Sequence, residues 1–125
     1  MVRSSRQHSG KAAHLAGDAA EQAVQRAYEA QGYEAVAQRW RCEAGEIDLI
    51  LRLNAQYVFV EVKHSRTFTK AAERLSAQQM ARIYTSAEVF LAETPQGTLT
   101  ETRFDVALVD GQGQIKILEN AIGLE

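Results

Sequence analysis

Two stretches in which apolar and polar residues alternate, Gly45 to Ile50 and Val58 to Lys63, constrain this chain more than any other feature in it. Alternation with period two is the pattern of a strand with one buried face and one free face. In the first strand Ile47, Leu49, Leu51 and Leu53 are expected to share one side, which leaves Glu46 and Asp48 together on the other. In the second, Val58, Val60 and Val62 take one side, and Tyr57, Phe59, Glu61 and Lys63 the other. Asn54-Ala55-Gln56 between them reads as a hairpin turn.

A carboxylate, a second carboxylate thirteen residues later and a lysine two positions beyond it suit phosphodiester cleavage. A divalent cation is held by one or two carboxylates plus waters, and it stabilises the charge that builds on the transferring phosphoryl group. Asp48 and Glu61 would bind Mg²⁺ or Mn²⁺, the backbone carbonyl of Val62 would be a third ligand, and Lys63 would orient the attacking water. A plainer reading stands beside this one: an exposed Glu61–Lys63 pair on a strand contributes under about 1 kcal/mol. Hairpin register separates the two. A three-residue loop pairing Leu53 with Tyr57 sends Glu61 to the opposite face from Asp48, whereas a two- or four-residue loop, or a β-bulge, brings Asp48, Glu61 and Lys63 onto one face.

The remaining elements follow from periodicity. Ala20, Ala23, Val24, Ala27 and Tyr28 form the stripe of an amphipathic helix starting near Asp18 and ending at Gly32. Asp18 and Glu21 have capping-box spacing, so Glu21 has a purely structural use available. Residues 1–16 carry Arg3, Arg6, His8, Lys11 and His14 and read as a flexible basic arm before a single domain over residues 17–125. Tyr33 to Cys42 is the first strand, with Trp40 assigned to the core and Arg39 and Arg41 on the opposite face, as phosphate contacts or merely facing solvent. Lys63, Arg66, Lys70, Arg74 and Arg82 face only Glu73, a net +4 over residues 63–82, and this segment is where phosphates would be gripped. Ser76 and Gln79 have capping-box spacing for a second helix to about Glu93, with Met80, Ile83, Tyr84, Ala87, Phe90 and Leu91 buried. Strands at Arg103 to Val109 and Gln114 to Leu118 flank a turn at Asp110-Gly111-Gln112-Gly113.

The order helix, three strands, helix, two strands predicts an α/β fold, a mixed central β-sheet with flanking helices. The formal net charge of −2 neither announces nor excludes a nucleic-acid partner, because a local basic groove is sufficient. The single cysteine, Cys42, allows no internal disulfide, and the sequence has neither a long apolar run nor a signal-type segment, so a cytoplasmic protein with no membrane partner is expected.

Asp48 followed by Glu61-Val62-Lys63 resembles the active-site motif of the PD-(D/E)XK, or restriction-endonuclease-like, nucleases. The wider chain is similar to one branch of them, the small bacterial YraN-like proteins. The resemblance rests on Gly17, Glu21, Gly32-Tyr33, Gly45 to Ile50, Val58 to Lys63, Ala87 with Leu91, and Arg103-Phe104-Asp105-Val106. It departs at Val24, usually alanine, and at Gln79, usually lysine. It implies a restriction-endonuclease-like core and a Mg²⁺- or Mn²⁺-dependent endonuclease acting on DNA, branched or single-stranded. Glu21, Asp48, Glu61 and Lys63 would be its catalytic residues, Glu21 through the metal or its waters. Resolvases of this fold class act as dimers, which makes a homodimer an expectation of the resemblance. For Asp105 an ion pair with an arginine is the expected role. Two other readings use the same residues: a nucleic-acid-binding module without turnover, gripping through Arg39, Arg41, Arg66, Lys70, Arg74 and Arg82, and a protein-interaction domain.

Overall fold

The computed structural model describes residues 2–122, with side chains from residue 16 onward. The basic residues of the expected N-terminal arm therefore lie outside the described side chains. The elements are α1 (Val2–Glu29), β1 (Glu34–Cys42), β2 (Gly45–Leu53), β3 (Gln56–His64), a short α2 (Phe68–Ala72), α3 (Ala77–Leu91), a 3₁₀ turn (Gly97–Leu99), β4 (Thr102–Val109) and β5 (Ile115–Leu118). The strands form one sheet in sequence order, antiparallel except for β3 and β4, which run parallel. A parallel pair needs a crossover, and α2 and α3 supply it. This is the mixed α/β arrangement of a restriction-endonuclease-like core.

Helix α1 ends as its sequence requires. Gly32, at φ +94°, donates to the Glu29 carbonyl, and Tyr33 donates to that of Tyr28, the paired bonds of a glycine-terminated helix. Asp18 does not cap this helix, because α1 runs through it; the capping-box reading of Asp18 and Glu21 is corrected accordingly. At α3 the Ser76 hydroxyl accepts from the Gln79 amide at 3.0 Å, while α2 starts with the Thr67 hydroxyl accepting from Lys70 N–H at 3.1 Å.

Each face of the sheet carries an apolar layer. On one, Ala20, Val24 and Tyr28 of α1 pack on Leu49, Leu51, Val58, Val60, Val62, Ala107 and Val109. On the other, Ile83, Ala87 and Leu91 of α3 pack on Ile50, Phe59, Phe104, Val106 and Leu108. Ile47 belongs to this second layer, so the expectation that it shares a side with Leu49 and Leu51 is overturned. Trp40 also lies here, edge-on to Phe90 at 5.4 Å, a core residue as expected.

Asp105 is fully buried and accepts four hydrogen bonds from three groups. Arg103 donates to both of its oxygens at 2.9 Å, the Tyr28 hydroxyl at 2.7 Å, and the Asn120 amide at 2.9 Å. The Arg103 guanidinium also reaches the Tyr33 hydroxyl at 3.1 Å, so the network joins α1, the start of β1 and β4. Removing one member of a buried ion pair strands the other, at about 3–5 kcal/mol, while losing one neutral donor to a buried acceptor costs about 1–3 kcal/mol. Arg103→Leu is therefore expected to destabilise the fold more than Tyr28→Phe; urea unfolding of the two variants beside the native chain checks the order.

Candidate active site

The turn between β2 and β3 has two residues, Asn54 and Ala55, with Leu53 paired to Gln56. Asn54 takes the left-handed φ of +56° that such a turn requires and that asparagine tolerates. Pairing then runs Arg52 with Tyr57, Leu51 with Val58, Ile50 with Phe59 and Leu49 with Val60, after which it stops. One step further, Asp48 and Glu61 would be direct partners. Instead the strands part there, and the Val62 amide donates to Asp48 Oδ2 at 2.8 Å. Because N–H and C=O of one strand residue point to the same side, the Val62 carbonyl faces the same gap.

Asp48 and Glu61 sit close enough that each perturbs the titration of the other. Burial raises the pKa of both. For Glu61 the charge of Asp48 adds to the rise, and for Asp48 the Val62 amide, Glu61 and Lys63 oppose it. Glu61 is only 3% exposed. Two carboxylates this close and this dry cannot both ionise without a compensating cation. Lys63 supplies part of that compensation, its Nζ 3.2 Å from Glu61 Oε2.

Glu21 reaches the same place from α1. Burial, then the charges of Asp48 and Glu46, push its pKa up to about 7. It is also held by Arg39, whose Nε lies 2.9 Å from its Oε1 and whose guanidinium pairs with Asp18 as well. Two adjoining clefts meet at Glu21 and Asp48. One, of about 240 Å³, is lined by Gly17, Glu21, Asp48, Glu61, Val62, Lys63, His64, Arg74 and Gln79; the other, of about 260 Å³, by Asp18, Glu21, Gln25, Gln38, Arg39 and Asp48 among others.

The structure thus gathers Glu21, Asp48, Glu61, Val62 and Lys63 in one place. Of the basic candidates, Arg74 lines the cleft and donates to the His64 carbonyl at 3.1 Å. Arg66 and Lys70 are exposed on the segment around α2, and Arg82 is exposed on α3 over Gly45. None of these four forms an ion pair among the described residues. Arg39 and Arg41 differ: Arg39 is engaged with Asp18 and Glu21, and Arg41 with Glu46 at 3.3 Å. Two cleft residues escaped the sequence-based candidates. Gln79 donates its side-chain amide to Glu61 Oε2, the oxygen that Lys63 also approaches. Its position three residues after Ser76 pointed to a cap, but only its backbone serves one. His64 places its Nε2 against Gly17, 3.5 Å from where a Cβ would stand, and no local pattern marks it.

The sequence profile of the family described as Uncharacterised protein family UPF0102 matches residues 20–109. This chain belongs to that family, the YraN-like proteins. Among its curated UPF0102 relatives, a protein of Ruegeria pomeroyi is 59% identical over 88% of this chain and 89% of its own length. One from Roseobacter denitrificans is 54% identical over 94% and 91%, and one from Cereibacter sphaeroides 56% over 90% and 97%. The UPF0102 match covers every element from the end of α1 through β4, so Glu21, Asp48, Glu61 and Lys63 all fall within it. None of the described helices is long and apolar enough to cross a membrane.

The raised carboxyl groups have a consequence for stability. An acid whose pKa is higher in the folded chain keeps a proton that the unfolded chain has released, so stability falls as pH rises between the two values. For Glu21 that window runs from 4.5 to about 7, and Asp48 and Glu61 act in the same direction. In EDTA the melting temperature should fall between about pH 5.5 and about pH 7.5, and Glu61→Gln should make the fall shallower. Thermal melts at matched low ionic strength test this.

Proposed function

We propose that this chain is a metal-dependent nuclease that hydrolyses phosphodiester bonds of DNA. The observation that carries the reading is the pairing of buried Glu61 with half-buried Asp48, brought together where β2 and β3 part and open to a cleft beside Lys63. Carboxyl groups perturbed by burial and by each other, and gathered in a cleft, are a mark of chemistry rather than of stability.

The donor set fits the metal that the reading requires. Among the described residues no three His, Cys, Asp or Glu side chains converge as a cage. What the site offers is two carboxylates and the Val62 carbonyl, which suits an ion that keeps several waters, as Mg²⁺ does, and not a tetrahedral zinc site. A bound Mg²⁺ or Mn²⁺ would supply positive charge against the negative charge developing on the scissile phosphate. Asp48 and Glu61 would hold the ion in their ionised forms. Lys63, anchored by Glu61, would hold the attacking water in line and help it lose a proton. Glu21, from the other side of the cleft, would order water next to Asp48. Arg74 lines the cleft, and together with the exposed Arg66 and Lys70 of the same segment it would hold the phosphates on either side of the cut.

Labelled single-stranded, duplex, flapped and four-way-junction DNA, incubated with the chain in Mg²⁺, Mn²⁺ or EDTA, tests the activity. Cleavage that needs metal and drops by about 10²-fold or more in both Glu61→Gln and Lys63→Ala is expected. Binding that survives EDTA with no cutting of any substrate would instead identify a nucleic-acid-binding module. Mn²⁺ should also raise the melting temperature of the native chain, by linkage, and should do so far less for Asp48→Asn.

A further inference from the structure

Arg39 has a left-handed backbone, φ +48°, in the middle of a strand. Among the described residues the other two non-glycine residues with positive φ are asparagines, which tolerate that conformation, whereas arginine does not favour it. Its place in the register explains what the conformation does. On β1 and β2 the pairs Gln38 with Leu49 and Trp40 with Ile47 bracket Arg39 and Asp48, which would face each other but are not paired.

Both strands change face at this step. Leu49 packs in the layer against α1, and its partner Gln38 reaches Gln25 of α1. Ile47 and its partner Trp40 pack in the layer against α3. Residues two apart on a strand normally share a face, so each strand gains half a turn between these pairs. Regular alternation would put Asp48 beside Ile50 in the α3 layer. The inversion instead leaves Asp48 between the layers, where it accepts from the Val62 amide and lines the same clefts as Glu21.

We infer that Arg39 is a positioning residue whose left-handed backbone inverts the β1–β2 pair and so aims Asp48 into the gap between β2 and β3. Its guanidinium, held by Asp18 and Glu21, keeps the turned residue in place, but the backbone conformation is what sets the direction of Asp48. The catalytic consequence rests on the nuclease reading; the placement of Asp48 does not.

Amide hydrogen exchange at Val62 reads that placement directly, because this amide donates to Asp48 Oδ2. Leu51 and Val58, in the regularly paired part of the hairpin, serve as the internal reference. Arg39→Gly and Arg39→Asn, which accept positive φ without the guanidinium, should keep Val62 protection close to that of the native chain. Arg39→Val, or Arg39→Ala if the valine variant does not fold, should speed Val62 exchange about tenfold relative to the reference amides. Equal loss in the glycine and valine variants, or no loss in the valine or alanine variant, overturns the inference. Mn²⁺ titration by calorimetry on the same variants should follow the same order. If the native chain binds no Mn²⁺, the nuclease reading falls, while the Val62 amide still decides the role of Arg39.

Discussion

Two carboxyl groups, Glu61 buried and Asp48 half-buried, are held close together, and much of the structure is arranged to make that tolerable. They would repel strongly if both were ionised, and the strain is eased where Glu61 pairs with Lys63 and Asp48 takes a backbone amide from Val62. The arrangement exists because the β2–β3 ladder ends at Leu49 and Val60. Had pairing continued, the Val62 amide and carbonyl would have been used up by the neighbouring strand, and no polar gap would remain.

A gap at the centre of a sheet needs its walls fixed from elsewhere. β3 is secured on its other side by parallel pairing with β4 along its length, from Tyr57–Thr102 to His64–Val109. The helices close the site from both faces: α1 brings Gly17 and Glu21, and α3 brings Gln79. The Asp105 network holds α1 to β4 through Tyr28, so the helix that carries Glu21 is tied to the strand beside the one that carries Glu61. Its bonds are buried, whereas an exposed ion pair such as Arg41–Glu46 contributes at most about 1 kcal/mol. The network that ties α1 to β4 therefore uses charged groups other than those gathered at the cleft.

Charge is likewise divided by position. The chain is slightly acidic overall, yet the segment after β3 is basic, and its arginines and lysine have no acidic partners among the described residues. Arg74 meets the acidic pair in one cleft because the basic segment starts directly after the strand that carries Glu61.

Much of this was legible in the residues. Period-two runs marked β2 and β3, the 3.6-residue stripes marked the buried faces of α1 and α3, Gly32 marked a helix end, and the spacing of Asp48, Glu61 and Lys63 marked the site, because these patterns report local geometry and alternate burial. What they could not decide was anything that depends on another strand or helix. The turn had two residues and not three because the sheet's pairing chose Gln56 as Leu53's partner. Ile47 crossed to the α3 layer because Arg39 turned left-handed against Asp48, an event that alternation cannot show. Gln79 looked like half of a helix cap, yet its side chain found Glu61 across the packing of α3 on the sheet. The sequence by itself determined which residues prefer strand, helix and turn, and which polar residues are candidates for the site. Tertiary structure alone decided which way the carboxylates face, since a side chain's direction on a twisted and interrupted strand is set by its neighbours in space.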